Sequence, residues 1–152
     1  MSVSRNRVAV LHGVNFDVLD RRDAHIYGGL SLSELEHKIS DWAHELDLEP
    51  IFFQTNAEGE FCEYLHRAGD GLADSVVVNA GAWTHYSRAI ADALELTRLP
   101  AVEVHLSDVE ARDEWRKLSV FDGLVIAKVS GKGPDGYREA LGLLARELGA
   151  SS

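Results

Sequence analysis

Apolar residues along the chain follow two alternating rhythms. Short runs rich in valine and other aliphatic side chains occur at residues 7–11, 51–54, 75–78, 101–105 and 124–129, with the length and composition of buried strands. Between them the spacing lengthens. Leu32, Leu35, Ile39, Trp42 and Leu46 recur every three or four positions, which makes one face of a helix, and Ser31 with Glu34 makes a capping box at its start. Further helices are expected over residues 57–67 and 85–96, a short one over 109–115, and a last one whose apolar side carries Tyr137, Leu141, Leu144 and Leu148. Pro50 stands at the entry of the second strand and Pro134 near the start of the last helix, two places where a missing N–H costs little.

Five strands separated by helical segments predict an α/β fold with a parallel sheet and helices on both faces. Right-handed crossovers leave few topologies, and the flavodoxin-like order 2-1-3-4-5 is the best of them. No internal repeat, low-complexity segment or linker interrupts residues 1–152, so a single catalytic-sized domain is expected. One connection is too long for a compact strand–helix joint. It runs from His12 to Gly29, and its part over about residues 15–29 is a candidate lid.

Composition narrows the function classes. The formal charge is -10, from 15 basic and 25 acidic residues, and the basic groups form no long run, which argues against nucleic acid or an anionic membrane as partner. No apolar run approaches the roughly 20 residues a membrane-spanning helix needs. The opening Met1-Ser2-Val3-Ser4-Arg5 lacks the apolar stretch and cleavage site of a signal peptide. Cys62 is the only cysteine, so no intramolecular disulfide can form. A cytoplasmic protein is expected.

In open α/β sheets ligands bind beyond the carboxyl ends of the strands. Here every strand end is followed by polar or glycine residues: His12, Gly13 and Asn15; Gln54, Thr55 and Asn56; Asn79, Gly81, Thr84 and His85; His105, Ser107 and Asp108; Ser130, Gly131 and Gly133. Glu103 and His105 lie two apart on a strand and share a face. His85 and Asp92 are seven apart on an expected helix and again share a face, with Arg88 and Ala89 between them. Arg112 and Arg116, four apart on the short helix, would form a two-pronged cationic surface for an acid or phosphate. The segment Gly131-Lys132-Gly133-Pro134-Asp135-Gly136 matches G-x-G-x-x-G, but it follows the last strand with no strand after it, and reads as a turn and helix start. Glu103, His105 and His85 lack the spacing of a zinc site. Ser107, His85 and Asp92 lack the G-x-S-x-G elbow of a hydrolase. His12, His25, His37, His44 and His66 read as solvated or structural.

Four stretches, in order, resemble those of type II 3-dehydroquinate dehydratases. Asn79-Ala80-Gly81-Ala82-Trp83-Thr84-His85 resembles their N-x-G-x-x-T-H signature. Glu103-Val104-His105-Leu106-Ser107-Asp108, followed by Ala111-Arg112-Asp113-Glu114-Trp115-Arg116, resembles E-V-H-L-S-N…A-R-E-E-F-R. Gln54-Thr55-Asn56-Ala57-Glu58-Gly59 resembles Q-S-N-x-E-G. Asn15, Arg22, Tyr27 and Gly28 occupy matching places of the N-G-P-N-L-N-x-L-G-x-R-E-P-x-x-Y-G opening. The likeness extends from about Val8 to Leu144.

The resemblance implies a dehydratase that converts 3-dehydroquinate to 3-dehydroshikimate by anti elimination through an enolate, without metal or organic cofactor, in a homo-oligomer that is a dodecamer built from trimers. Tyr27 would be the base at C2. A phenol ordinarily ionises near pH ~10, so a neighbouring cation is needed, and Arg22 would supply it. Asn15 would help stabilise the enolate oxygen. His105 would protonate the leaving C1 hydroxyl, with Glu103 orienting it. Asn79, His85, Asp92 and Arg116 would bind ring hydroxyls, the amides at Leu106 and Ser107 would hold the carboxylate, and Arg112 would support the site. The chain departs from the family pattern at His12 and Val14, where the pattern has Asn and Pro, and at Asp20, Asp23, Ala24, Asp108 and Val120. Two other readings remain at this point: a binding module that has kept the pocket without turnover, and a dehydratase for a related polyhydroxylated ring acid. An assay for elimination separates them.

Overall fold

The structure, a computed structural model, describes residues 5–150; the opening residues Met1–Ser4 lie outside it. Five strands, β1 (Arg7–His12), β2 (Glu49–Gln54), β3 (Ser75–Asn79), β4 (Ala101–His105) and β5 (Ala127–Ser130), pair in parallel in the order β2-β1-β3-β4-β5, as the alternating pattern predicts. Among the described residues the α-helices are α1 (Ala24–Tyr27), α2 (Leu32–Glu45), α3 (Glu58–Arg67), α4 (Arg88–Thr97) and α5 (Asp135–Ala150).

The two-residue period of a strand sorts its side chains onto two cores. Val8 and Val10 of β1, Val77 of β3, and Val102 and Val104 of β4 join Leu35, Ile39 and Ala43 of α2 and Tyr137, Leu141 and Leu144 of α5. The alternate residues Ala9, Leu11, Val76 and Val78 join Phe61 and Leu65 of α3 and Ile90 and Leu94 of α4. The apolar faces of the helices are thus spent against the sheet, and the polar residues at the strand ends are left at one edge. Ser31 and Glu34 form the expected capping box at the start of α2, with Glu34 N–H donating to Ser31 Oγ at 3.1 Å and Ser31 N–H to Glu34 Oε1 at 3.1 Å.

Four local expectations change. The segment 12–29 is wound into a 3-10 stretch (Phe16–Arg21) and α1, so it is no structureless loop. Phe16 and Leu19 anchor it in the core while Gly28 closes α1 at φ 90°. The helix expected from residue 85 begins at Arg88, because Ser87 caps it by accepting from Ile90 N–H at 3.1 Å and residues Gly81–His85 wind separately as a 3-10 turn. His85 and Asp92 therefore do not share a helix face. The helix expected over 109–115 is two 3-10 turns, Val109–Ala111 and Glu114–Lys117, broken where Arg112 is extended. Arg112 and Arg116 are not on one helix. Finally, β5 begins at Ala127, after the predicted residue 124. Leu124 and Val125 pack on the second core from a turn that holds Gly123 at φ 85°, and pairing with β4 starts only at Val102↔Ala127.

Candidate active site

A cleft of about 340 Å³ opens beyond the carboxyl ends of β1, β3 and β4, covered on one side by the segment from Asn15 to Tyr27. It is lined by Asn15, Arg22, Tyr27, Asn79, His85, His105, Leu106, Ser107, Arg112 and Arg116, together with an apolar wall that includes Val14, Phe16, Leu19 and Val109. Glu103 stands behind His105. Eleven of the twelve sequence-predicted residues thus gather at one place. The twelfth, Asp92, is exposed on α4 and does not line the cleft.

Tyr27 ends α1, and two guanidinium groups converge on its hydroxyl. Arg22 Nη2 donates to the phenol oxygen, and Arg112 Nη1 donates to it at 2.8 Å. The Arg22 carbon lies 4.2 Å from the ring centroid and that of Arg112 5.3 Å. Arg112 Nη1 also donates to Ser107 Oγ at 3.3 Å. Neither arginine has a carboxylate partner among the described residues. Their charge is therefore directed at the phenol oxygen and the cleft, an arrangement that stabilises negative charge there.

Across the cleft, His105 closes β4. Its Nε2 is 2.5 Å from Glu103 Oε2, as the two-residue spacing on a strand allows. Glu103 is fully buried and accepts from Ser119 Oγ at 2.9 and 3.0 Å. Ser119 in turn accepts from Phe121 N–H at 3.1 Å. With Nε2 engaged, Nδ1 is the His105 nitrogen without a partner among the described residues. No sequence signal marked Ser119, which lies in an irregular segment and meets Glu103 only through the fold.

His85 is fixed at the rim of its 3-10 turn. Its Nδ1 meets Leu118 O at 2.7 Å, so that nitrogen carries the proton and Nε2 is left as an acceptor. Burial lowers its pKa, with His105 and Arg116 adding to the effect and the Leu118 carbonyl and Glu103 opposing it. The ring meets Trp115 edge-on at 5.2 Å. Arg116 lies 4.1 Å over the Trp115 ring, and its buried Nε, 3.6 Å from Asp113 Oδ2, makes no hydrogen bond. Leu106 and Ser107 line the cleft, but the helix expected to open behind them is the three-residue turn Val109–Ala111, too short to carry much dipole. Asn15 sits in the left-handed region at φ 73°, with its N–H donating to Asn56 Oδ1 at 2.8 Å. Gly13 lets this corner close, since a Cβ there would lie 2.2 Å from the Ala80 carbonyl oxygen.

The remaining histidines divide as composition alone could not say. His25, His37, His44 and His66 are exposed, whereas His12 is fully buried. Among the described residues, no group of three or more His, Cys, Asp or Glu side chains is gathered to hold a metal ion, and no helix is long and apolar enough to cross a membrane.

A phenol under two cations facing a carboxylate-backed imidazole can remove a proton on one side of a ligand and deliver one on the other. Comparison with known proteins agrees with that capacity. The chain is 48% identical over 139 residues to a 3-dehydroquinate dehydratase of Syntrophotalea carbinolica, covering 91% of this chain and 93% of that one. The crystal structure of a type II dehydroquinase from Propionibacterium acnes superimposes with a TM-score of 0.88 at 37% identity, over 96% of this chain and 99% of that one. That of Butyrivibrio crossotus does so at 0.88 and 33%, over 92% and 97%. Residues 6–145 match the family described as Dehydroquinase class II, and the chain belongs to it.

Proposed function

We propose that this chain converts 3-dehydroquinate to 3-dehydroshikimate as a hydro-lyase. The observation that carries the reading is the convergence of Arg22 and Arg112 on the Tyr27 oxygen, across one cleft from the Glu103–His105 pair. Tyr27, as phenolate, takes the proton from C2. The electron pair moves into the C3 carbonyl, and Asn15 helps stabilise the resulting enolate oxygen through a water. Collapse of the enolate forms the C1–C2 double bond and expels the C1 hydroxyl. His105 protonates that group as it leaves as water, from Nδ1, while Glu103 holds the charged ring. Asn79, His85 through its acceptor Nε2, and Arg116 bind ring hydroxyls. Leu106 and Ser107 hold the carboxylate, supported by Arg112. No step in this scheme calls on a metal or organic cofactor. A binding module that had lost turnover would have no use for two guanidinium groups trained on one phenol.

The segment 15–29 acts as a lid in this reading, because it brings Arg22 and Tyr27 over the sheet edge on short turns. The single domain of residues 1–152 works as a homo-oligomer, a dodecamer built from trimers as in the resemblance. Asp92, exposed on α4 and outside its own cleft, would then serve a site only where a second copy brings it there. Tyr86, Trp115 and Leu118, which stay exposed around His85, support such an association. The acidic composition with one cysteine supports a cytoplasmic setting.

The test is direct. Purified protein is mixed with 3-dehydroquinate in the presence of a chelator, and the ultraviolet absorbance of the conjugated enone product is followed. Chelator-resistant turnover is expected. Tight binding of the compound without turnover would sink the assignment in favour of a binding module or a sister substrate. Light scattering on the same sample checks the oligomer.

A further inference from the structure

Beneath the cleft, Asn79 is joined to a buried polar pair, His12 and Tyr137, that none of these roles uses. His12 closes β1, Asn79 closes β3, and the two are register partners in the sheet. Strand alternation points both toward α5. There Tyr137, fully buried, places its hydroxyl between them, 2.9 Å from His12 Nε2 and 3.0 Å from Asn79 Nδ2. The far side of His12 stacks on Phe16 with centroids 4.9 Å apart, and its Nδ1 is buried without a partner. Asn79 itself lines the cleft.

A carboxamide has two orientations that fill the same space and present opposite chemistry, an acceptor oxygen or a donor nitrogen. Which one a ligand meets must be set by neighbours. Gly81 N–H donates to Asn79 Oδ1 at 3.4 Å, so Nδ2 is the end that meets Tyr137. The tyrosine oxygen accepts from Nδ2, and its single proton is left for His12 Nε2. That requires a neutral His12 protonated on Nδ1. The opposite tautomer would leave two groups unsatisfied, the tyrosine proton and His12 Nδ1. The required one leaves only the Nδ1 proton. Burial holds this imidazole neutral, with its pKa lowered from 6.5 to about 3.

We propose that His12 and Tyr137 are positioning residues that hold the Asn79 carboxamide in one orientation, so that a substrate hydroxyl always meets the same amide edge. The inference rests on Asn79 being a substrate-binding group in the proposed reaction. It also gives a use to a histidine that the family pattern replaces with asparagine.

The experiment compares steady-state constants for Tyr137→Phe, Asn79→Ala and the double variant. Phenylalanine keeps the ring that packs the core and removes only the hydroxyl. KM for 3-dehydroquinate should rise about tenfold in Tyr137→Phe with kcat changed less than about threefold. In the Asn79→Ala background the same change should leave KM where it was. His12→Leu should repeat the KM rise, and His12→Gln, whose carboxamide oxygen can accept the tyrosine proton, should reverse most of it. A lowered melting temperature with KM unmoved, or additive effects in the double variant, would make the hydroxyl merely structural and overturn the proposal. A second readout needs no turnover. Nitrogen-15 spectra of the whole protein should show His12 neutral and protonated on Nδ1 across about pH 5–8. An Nε2-protonated ring or an imidazolium there overturns the proposal. Absent turnover in the unaltered protein would instead strike the dehydratase reading, and the spectra would still decide this one.

Discussion

Tyr27 and His105 face the same cleft but are held there by different means. His105 closes a central strand, 5% exposed, and the carboxylate behind it is held in turn by Ser119. Its place is fixed by the sheet register and by burial. Tyr27 closes a four-residue helix with no fully buried residue, and its hydroxyl is held from two directions by arginines that come from separate turns. One side of the site is positioned by the core and the other by charge. A site that must admit a ligand benefits from that division, because charge-held turns can open at little cost to the core.

The largest effect is expected on the charge-held side. Tyr27→Phe removes the proposed base and keeps the ring, so turnover should fall by roughly 10³-fold or more. Melting temperature and ligand affinity should stay close to those of the unaltered protein. Stopped assays read the first, and scanning calorimetry and titration the second. Substantial residual activity would end the assignment of Tyr27 as base.

Next come the two arginines. Each donates one charge-assisted hydrogen bond to the phenol oxygen, worth roughly 1.5–3 kcal/mol, so Arg22→Ala and Arg112→Ala should each lower kcat by about ten- to a hundredfold. Because both act on one atom, the double variant should lose much less than the product of the two single losses. Independent, multiplying losses would show that the arginines work at different places. On the strand-held side, Glu103→Gln keeps the hydrogen-bonding shape and removes only the charge. A fall in kcat of about tenfold with little change in KM is expected. A raised KM with kcat little changed would mean that the carboxylate positions substrate and not the imidazole.

The same contrast decides what could be read before the structure. The Glu103–His105 contact follows from a period of two on one strand and the capping box of α2 from its spacing, both local rules that the fold kept. The sheet order follows from the alternation of strands and helices together with right-handed crossovers. The pairing of Arg22 and Arg112 on Tyr27 joins residues 85 positions apart, and only the resemblance to a family pointed toward it. Arg112 and Arg116 read as neighbours on a helix, yet Arg112 is itself extended between two 3-10 turns, and both still reach the cleft. Ser119 and the hydroxyl of Tyr137 left no trace in the pattern. One lies in an irregular turn, and the other belongs to a ring that periodicity marks only as core. Asp92 shows the converse, since the resemblance names it as a binding residue and the fold of its own chain leaves it outside the cleft.

The last expected effect concerns acid, and among the groups that hold the site it falls on the core-held side. Burial lowers the pKa of His12 from 6.5 to about 3 and is also the main cause of the lowered pKa of His85. An unfolded chain takes up these protons near the ordinary value of 6.5, while the folded one refuses them until lower pH. In that window the unfolded state holds more protons, so stability falls as pH falls. In a melting series from about pH 8 to pH 4, His12→Gln should therefore start close to the unaltered protein and lose stability less steeply below about pH 6.5. What slope remains would come from His85 and the carboxylates. Parallel curves would mean that the folded protein protonates His12 as readily as the unfolded chain does, so that below about pH 6.5 Tyr137 would lose its acceptor and Asn79 its fixed orientation.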